Sequence, residues 1–207
     1  MTEVRDARVG GVVLAAGESS RFEAGNKLLE PVDGTPMVVR VATTVLESSL
    51  DDVVAVVGHE GEAVADALGD LPLSIRHNDE YTDGQSASVR RGVEYAREAD
   101  CDAAIFLLGD MPFVRSNTVD RLVEAYRTGD GSIVAPRYEG TRGNPVLFDA
   151  RHFDALAGVT GDRGGRELVA THDGTRFLET DDPGVVRDID SRDDLRKQTG
   201  ATESRRR

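Results

Sequence analysis

Lysine is nearly missing from this 207-residue chain: of 25 basic residues only Lys27 and Lys197 are lysines, against 38 acidic residues and a formal net charge of −13. That balance excludes a general binder of phosphate backbones, whose footprint is strongly basic, so no nucleic-acid partner is expected. An acid-rich, lysine-poor surface suits high salt, which bears on solubility and habitat rather than activity. Cysteine occurs once, at Cys101, so neither an internal disulfide nor a thiolate metal cluster can form, and the residue is expected in the core. No apolar run approaches the roughly 20 residues that span a bilayer, so no membrane partner is expected. The opening MTEVRDARVG is charged and lacks the apolar stretch of a secretory leader, which leads to the expectation of a cytoplasmic protein. The histidines His59, His77, His152 and His172 show no metal-ligand spacing.

What is present is 39% hydrophobic and 30% charged residues, a globular composition at a length that suits one domain, expected over 1–200 with a disordered tail at 201–207. Val9 to Ala16 is a valine-rich run between glycines and reads as a strand buried on both faces. A helix is expected from about Thr35 to Ser48, with Pro36 near its first turn and Val38, Val41, Ala42, Val45 and Leu46 at helical spacing. DDVVAVVGH reads as a buried strand, GEAVADALGD as a short helix stopped by Gly69, and LSIRH as a brief strand. GQSASVRRGVEYAREAD is then a helix, CDAAIFLLGD the strongest central strand, Asn117 to Tyr126 a helix, and GSIVAP a strand. Further on, NPVLF and TRFLE read as strands, GGRELVATH and SRDDLRKQ as helices. Alternation of this kind predicts an α/β fold with a doubly wound, mostly parallel sheet, whose ligands collect at the carboxyl ends of the strands.

The residues following the strands therefore carry the chemistry. GESSRFEAGNKL is neither a dinucleotide G-x-G-x-x-G nor a phosphate loop, since Asn26 separates the glycine from Lys27 and no hydroxyl follows. Arg21 stands where a G-x-S-x-G nucleophile elbow needs its last glycine. What remains is a small-residue loop with exposed amides and two cations, Arg21 and Lys27, an anion cradle suited to a triphosphate; the plainer alternative is an ordinary turn with solvated charges. Asp110 follows AAIFLLG directly, held by Gly109 and the rigid Met111-Pro112 step, and a lone carboxylate there suits Mg²⁺. As a cap for the next helix it would sit several residues too early. Asp188 and Asp190, two apart in VVRDIDS, would share a strand face, and either could supply a second metal ligand; Asp190 alternatively reads as the cap of the last helix. Ser86 and Ser88 read alone are helix-start hydroxyls, and Arg90 and Arg91 a solvated helix face.

LAAGESSRFEAGNKLL resembles the signature L-A-[AG]-G-x-S-x-R-[MF]-G-x-x-K of the molybdenum cofactor nucleotidyltransferases, with Glu23-Ala24-Gly25 standing where that family places one glycine. GDMP matches its metal-binding G-D-x-P, VVRDIDSRDDL its D-[IVL]-D-[ST]-x-x-D-L, and RGNPVLF with GDRGGR the patterns G-x-P-V-x-F and G-D-x-G-x-R of the cytidylyltransferase branch. The resemblance runs from Gly11 to Leu195 and implies a Rossmann-like nucleotide-diphospho-sugar transferase (GT-A type) fold, with a nucleotide-binding half at about 9–112 and an acceptor half at about 113–200. It implies that Leu14, Ala15, Ala16, Gly17, Ser19, Arg21 and Lys27 hold the triphosphate, that Gly84, Ser86 and Ser88 lie beside the base, and that Asp110 and Asp190 hold Mg²⁺. Arg21, Lys27 and Asp110 would be the catalytic groups, and Gly143, Asn144, Pro145, Asp162 and Gly164 would line the acceptor pocket.

The implied reaction is attack by an acceptor phosphate, molybdopterin above all, on the α-phosphorus of CTP or GTP, with LAAG leaning toward cytidine and a molybdenum enzyme or its chaperone as a further partner. The guanylyltransferase relative, a sugar-phosphate nucleotidyltransferase and a nucleotide-binding cofactor chaperone are the competing readings; a glycosyltransferase would want D-x-D where GDMP stands.

Overall fold

The computed structural model describes residues 6–18, 22, 25–161 and 165–196. The first half contains β1 (Val9–Ala15), a two-residue hairpin of β2 (Pro31–Val32) and β3 (Thr35–Pro36), α1 (Met37–Leu46), β4 (Asp52–Val57), α2 (Gly61–Leu68), β5 (Ser74–His77), α3 (Gln85–Glu98) and β6 (Ala103–Leu108). The second contains α4 (Ser116–Arg127), β7 (Ile133–Tyr138), β8 (Thr141–Arg142), β9 (Val146–Asp149), α5 (Phe153–Ala157), α6 (Arg166–Thr171) and β10 (Thr175–Glu179). The main sheet is ordered β10-β7-β9-β6-β1-β4-β5, with β8 added to β7. β1 pairs in parallel with β4 and β6, β4 with β5, and β7 with β10; β9 alone in that order runs antiparallel, between β6 and β7.

Both faces of the sheet are covered, and the strand residues sort by parity. Val9, Val13, Ala55, Val57, Ile105 and Leu107 face one core with Val41 and Val45 of α1, Val64 of α2 and Leu122 of α4. Val12, Val54, Val56, Ala104 and Phe106 face the other, against Val89 and Val93 of α3, Leu156 of α5 and Val169 of α6. Burial on both sides is what a parallel strand with helical crossovers requires, and it explains the unbroken valine runs. The arrangement is the mostly parallel, doubly wound, Rossmann-like sheet read from the sequence. Among the described residues no helix is long and apolar enough to cross a membrane.

Several boundaries depart from expectation. Asp33 and Gly34 take φ of 50° and 84°, the type I′ pattern, so VDGT closes a hairpin and α1 starts at Met37 rather than Thr35. Pro36, at φ −51° and ψ 140°, is the residue directly before the helix, next to its first turn as expected. GGRELVATH shortens to Arg166–Thr171, and α5 and β8 had no distinct signal. The segment 187–190 joins no strand, so Asp188 and Asp190 do not share a sheet face. Residues 192–196 are helical as expected. The tail at 201–207 lies outside the described residues.

α3 lies close on the sheet because Gly92 lets it: a Cβ there would stand 2.6 Å from Val12 Cγ1 and 3.0 Å from Phe106 Cε1. Gly92→Ala is expected to lower unfolding free energy by about 1–3 kcal/mol in urea, as overpacking does. At the amino edge of β7, the Ser132 hydroxyl lies 2.9 Å from His152 Nε2 and 3.1 Å from His172 Nε2. Burial first, then the neighbouring His172, pushes the His152 imidazole below its ordinary pKa, against a smaller opposing pull from Asp149. The folded state thus prefers neutral His152, and that stability is present above the unfolded pKa of about 6.5 and lost as pH falls through it toward the lower folded value. Urea unfolding at pH 7.5 and pH 5.5 is expected to show the loss, and His152→Gln to diminish it.

Candidate active site

β1 and β6 are in register with Leu14 opposite Leu108, so the residues after both strands emerge side by side at the carboxyl edge. From β1 come Ala16 and Gly17; from β6 come Gly109 and Asp110. A Cβ on Gly109 would stand 3.0 Å from the Leu14 carbonyl, tighter than an ordinary contact, so glycine lets the two strand ends run this close without a shift. Lys27 reaches the same place from the opening loop. Asn26, 4% exposed, accepts from the Leu28 amide at 3.0 Å and donates to the His59 carbonyl at 3.2 Å, while Leu28 is buried beside it. That anchor leaves Lys27 to project over the sheet edge, where Nζ lies 2.7 Å from Asp110 Oδ2 and 3.3 Å from Asp190 Oδ1.

The acidic segment arrives by a wedge. Buried Asp182 accepts from the Arg115 amide and the Thr118 hydroxyl at the start of α4 and from the Gly184 amide, folding the chain back on itself. A Cβ on Gly184 would stand 2.1 Å from the Phe113 carbonyl, and one on Gly143 would stand 2.4 Å from the Val185 carbonyl, so this strip fits between two backbones only through its glycines. Ile189, fully buried with Val32 and Met37, then donates its amide to the Asp110 carbonyl at 2.9 Å. The acidic residues on either side of it, Asp188 and Asp190, both line the cavity at the sheet edge although they are not on a strand.

That cavity, about 520 Å³, is lined by Leu14, Ala16, Gly17, Lys27, Gly84, Ser88, Asp110 and Asp190 among the residues singled out from the sequence. Gly84 takes φ 94° just before α3, a conformation that favours glycine. Ser88 accepts from Asn78 Nδ2 at 3.1 Å. Ala15 is buried in the core and outside the lining. Ser86 is fully buried, outside the lining and without a hydrogen-bond partner among the described residues, because helical periodicity puts Gln85 and Ser88 on the cavity side and turns Ser86 away. Ser19, Arg21, Asp162 and Gly164 lie outside the described residues. Tyr81, Thr82, Gln85 and Arg166 also line the cavity. Gln85 and Arg166 stand within quoted motifs, whereas Tyr81 and Thr82 precede one and carried no signal.

A second cavity of about 100 Å³, with Val146, Val169 and Leu156 among its apolar walls, adjoins the first through Leu14, Gln85, Leu108 and Arg166. Asn144 lines it, together with Phe106, Phe148 and Arg142. Gly143 packs on Val185 instead, and Pro145 is buried outside the lining. Burial, and then the like charge of Arg166, pushes the Arg142 guanidinium below its ordinary pKa.

Asp110 is suited to a divalent cation: Oδ1 is buried and has no hydrogen-bond partner among the described residues, while Oδ2 meets Lys27. Two carboxylates, Asp110 and Asp190, match a hard cation that completes its shell with water and phosphate oxygens. Among the described residues no group of three or more His, Cys, Asp or Glu side chains could form an all-protein metal cage.

An open α/β sheet with a glycine-lined, lysine- and carboxylate-bearing cavity at its carboxyl edge defines a nucleotide-handling enzyme of the transferase type. The chain belongs to the MobA-like NTP transferase domain family, which it matches over residues 11–176, and is a nucleotidyltransferase by class. It is 33% identical over 165 residues to the nicotine blue oxidoreductase of Paenarthrobacter nicotinovorans, a match covering 76% of this chain and 79% of that one. It is 32% identical over 127 residues, 60% of this chain, to the bifunctional protein GlmU of Leifsonia xyli subsp. xyli, of whose length the match covers 26%. Among solved structures, Rv0371C of Mycobacterium tuberculosis H37Rv in complex with manganese superposes with a TM-score of 0.78 at 27% identity, over 94% of this chain and 99% of that one. A nucleotidyl transferase from Methanothermobacter thermautotroptrophicus also gives 0.78 at 27%, with the same shares covered.

With Lys27 and Asp110 side chains only 13% and 20% exposed, Lys27→Met is expected to cost about 1–3 kcal/mol, below the ~3–5 of a fully buried pair. Because the loss comes from carboxylates left facing each other, Lys27→Met/Asp110→Asn should recover part of it, a coupling that a double-mutant cycle in urea measures.

Proposed function

We propose that this enzyme transfers a nucleoside monophosphate, CMP foremost, from its triphosphate to a phosphorylated acceptor of the molybdopterin type and releases pyrophosphate. The observation that carries the reading is Asp110 Oδ1: a buried, unpartnered carboxylate oxygen on a residue that shares one cavity with Lys27 and Asp190. Leaving such an atom unsatisfied is costly, and a bound cation removes the cost. Asp110 and Asp190 would hold the ion, and bound Mg²⁺ would neutralise phosphate charge and draw electron density from the reacting phosphorus.

In this proposal Lys27, fixed by Asn26, meets the leaving phosphates together with Arg21, while the amides near Ala16, Gly17 and Ser19 cradle the triphosphate. Gly84 and Ser88 lie along the base at the start of α3, with Ser86 supporting them from within. An acceptor phosphate oxygen attacks the α-phosphorus, the bond from that phosphorus to the bridging oxygen breaks, and the electron pair leaves on pyrophosphate. The attacking oxygen is already ionised at neutral pH, so no general base is needed and catalysis reduces to positioning and charge neutralisation. The nucleotide half would occupy about 9–112 and the acceptor half about 113–200 of one domain, with Asn144, Asp162 and Gly164 toward the acceptor and Gly143 and Pro145 shaping its wall.

A redox reading is favoured by one observation, that the Paenarthrobacter nicotinovorans relative is a nicotine blue oxidoreductase. The two separate in a thermal-shift screen of CTP, GTP, ATP, UTP, NADH and NADPH, each with and without Mg²⁺, because selective binding raises the unfolding temperature by mass action. A Mg²⁺-dependent rise with CTP is expected, followed by pyrophosphate release when molybdopterin is added and a loss of at least about 100-fold in Asp110→Ala. Indifference to every triphosphate would sink the transfer reading, and a response to NADH or NADPH alone would favour the redox one.

A further inference from the structure

We propose that Arg142 and Arg166 together form the seat for the anionic end of the acceptor, a phosphate monoester whose neighbouring atoms are apolar. What then happens to that phosphate rests on the transfer reading above; its binding does not.

Arg142 is placed by a tight hairpin. Glu139 and Gly140 take φ of 47° and 78°, the type I′ pattern, and β8 pairs Arg142 with Arg137 of β7. From there Arg142 Nη1 donates to the Arg166 carbonyl at 3.2 Å, tying the hairpin to the first residue of α6. In so acidic a chain most arginines find carboxylates: Arg8 meets Asp52, Arg76 meets Glu98, Arg127 meets Asp51 and Arg192 meets Glu30. Among the described residues neither Arg142 nor Arg166 has a carboxylate within 4.0 Å, and each carries its charge next to the other's. A half-buried Arg142 beside an exposed Arg166, with no carboxylate on either among the described residues, is an arrangement that an anion relieves, and planar guanidinium groups match phosphate oxygens in pairs.

Their position says what else the anion carries. Arg166 lines both cavities, and Arg142, bonded to its carbonyl, lines the smaller one, so the pair stands beside the place where the two meet. On one side are Lys27 and Asp110, where a nucleotide phosphate would lie; on the other is a floor of Phe106, Val146, Phe148 and Leu156. The side-chain amide of Asn144 adds a polar group there without a protein partner among the described residues. A space of about 100 Å³ admits a fragment the size of a small ring, and hydroxyl-rich groups pressed on that floor would lose their hydrogen bonds. The ligand is therefore amphipathic: phosphate where the cavities meet, apolar atoms behind it.

Calorimetric titration of the full chain with phenyl phosphate, inorganic phosphate and phenol tests this. Phenyl phosphate is expected to bind at least about tenfold more tightly than either half alone, and Arg142→Gln and Arg166→Gln each to weaken it about tenfold or more, with Arg142→Lys restoring only part. Thermal unfolding of each variant confirms that the fold is kept. Equal binding of phenyl phosphate by wild type and both glutamine variants, or no advantage over inorganic phosphate, overturns the seat. CTP with Mg²⁺ is titrated in parallel: a normal nucleotide response with arginine-independent phenyl phosphate binding defeats this inference alone, whereas arginine-dependent binding without any nucleotide response supports the seat and defeats the transfer reading.

Discussion

The contact of the Lys27 ammonium with Asp110 and Asp190 is the constraint around which the sheet edge is arranged. Gathering Asp110, Asp188 and Asp190 at one cavity in a chain of net charge −13 sets like charges against one another. Such repulsion amounts to about 1 kcal/mol at 4 Å in water and several times that where solvent is partly excluded. A compact, three-donor ammonium can face two carboxylates from one point, which a planar guanidinium does less readily. Asn26 matters for the same reason: by fixing the backbone on either side of Lys27 it spares the ordering cost that a long side chain would otherwise meet on its own.

What brings those acids together is packing rather than charge. Parallel pairing of β1 with β6 sets Ala16 beside Asp110, and that pairing follows from valines and leucines buried on both faces of the sheet. Asp182, Gly184 and Gly143 then thread the return segment between two backbones, and Ile189 locks it by burial and by its bond to the Asp110 carbonyl. The favourable terms, apolar burial and satisfied amides, thus hold in place an unfavourable one, a concentration of carboxylates. Functional sites on otherwise self-consistent folds have this character.

Much of this was legible beforehand. Long valine runs with glycine ends and helices at regular spacing gave the layered fold, since period and burial are local properties of the chain. Lys27 and Asp110 stood out because one is a rare residue in this composition and the other ends the most apolar strand. The misplaced start of α1 came from an overlooked Asp-Gly turn, a two-residue signal that outweighs helical spacing after it. The course of 187–190 depends on glycines meeting backbone far away in sequence, so two acids two residues apart looked like a strand face. Ser86 was grouped with Ser88 through the family resemblance, although on a helix start residues two apart face different ways. The smaller cavity beside the site draws on seven elements at once, β1, α3, β6, β8, β9, α5 and α6, and nothing local announces such a space.

The distribution of cations follows from the same electrostatics. A strongly acidic protein repels anions at long range, so attraction for a nucleotide or a phosphate must come from groups in contact with it. Lys27 and the Arg142–Arg166 pair line cavity walls, and under the proposed function they would supply that contact. In molar salt the screening length falls to about 3 Å, which removes most of the distant repulsion and leaves contact pairs as the interactions that survive. Under the proposed function, a lysine-poor, acidic surface and a few cations at the cavity walls would be two consequences of one condition: recognition through touching charges rather than through the field of the whole molecule.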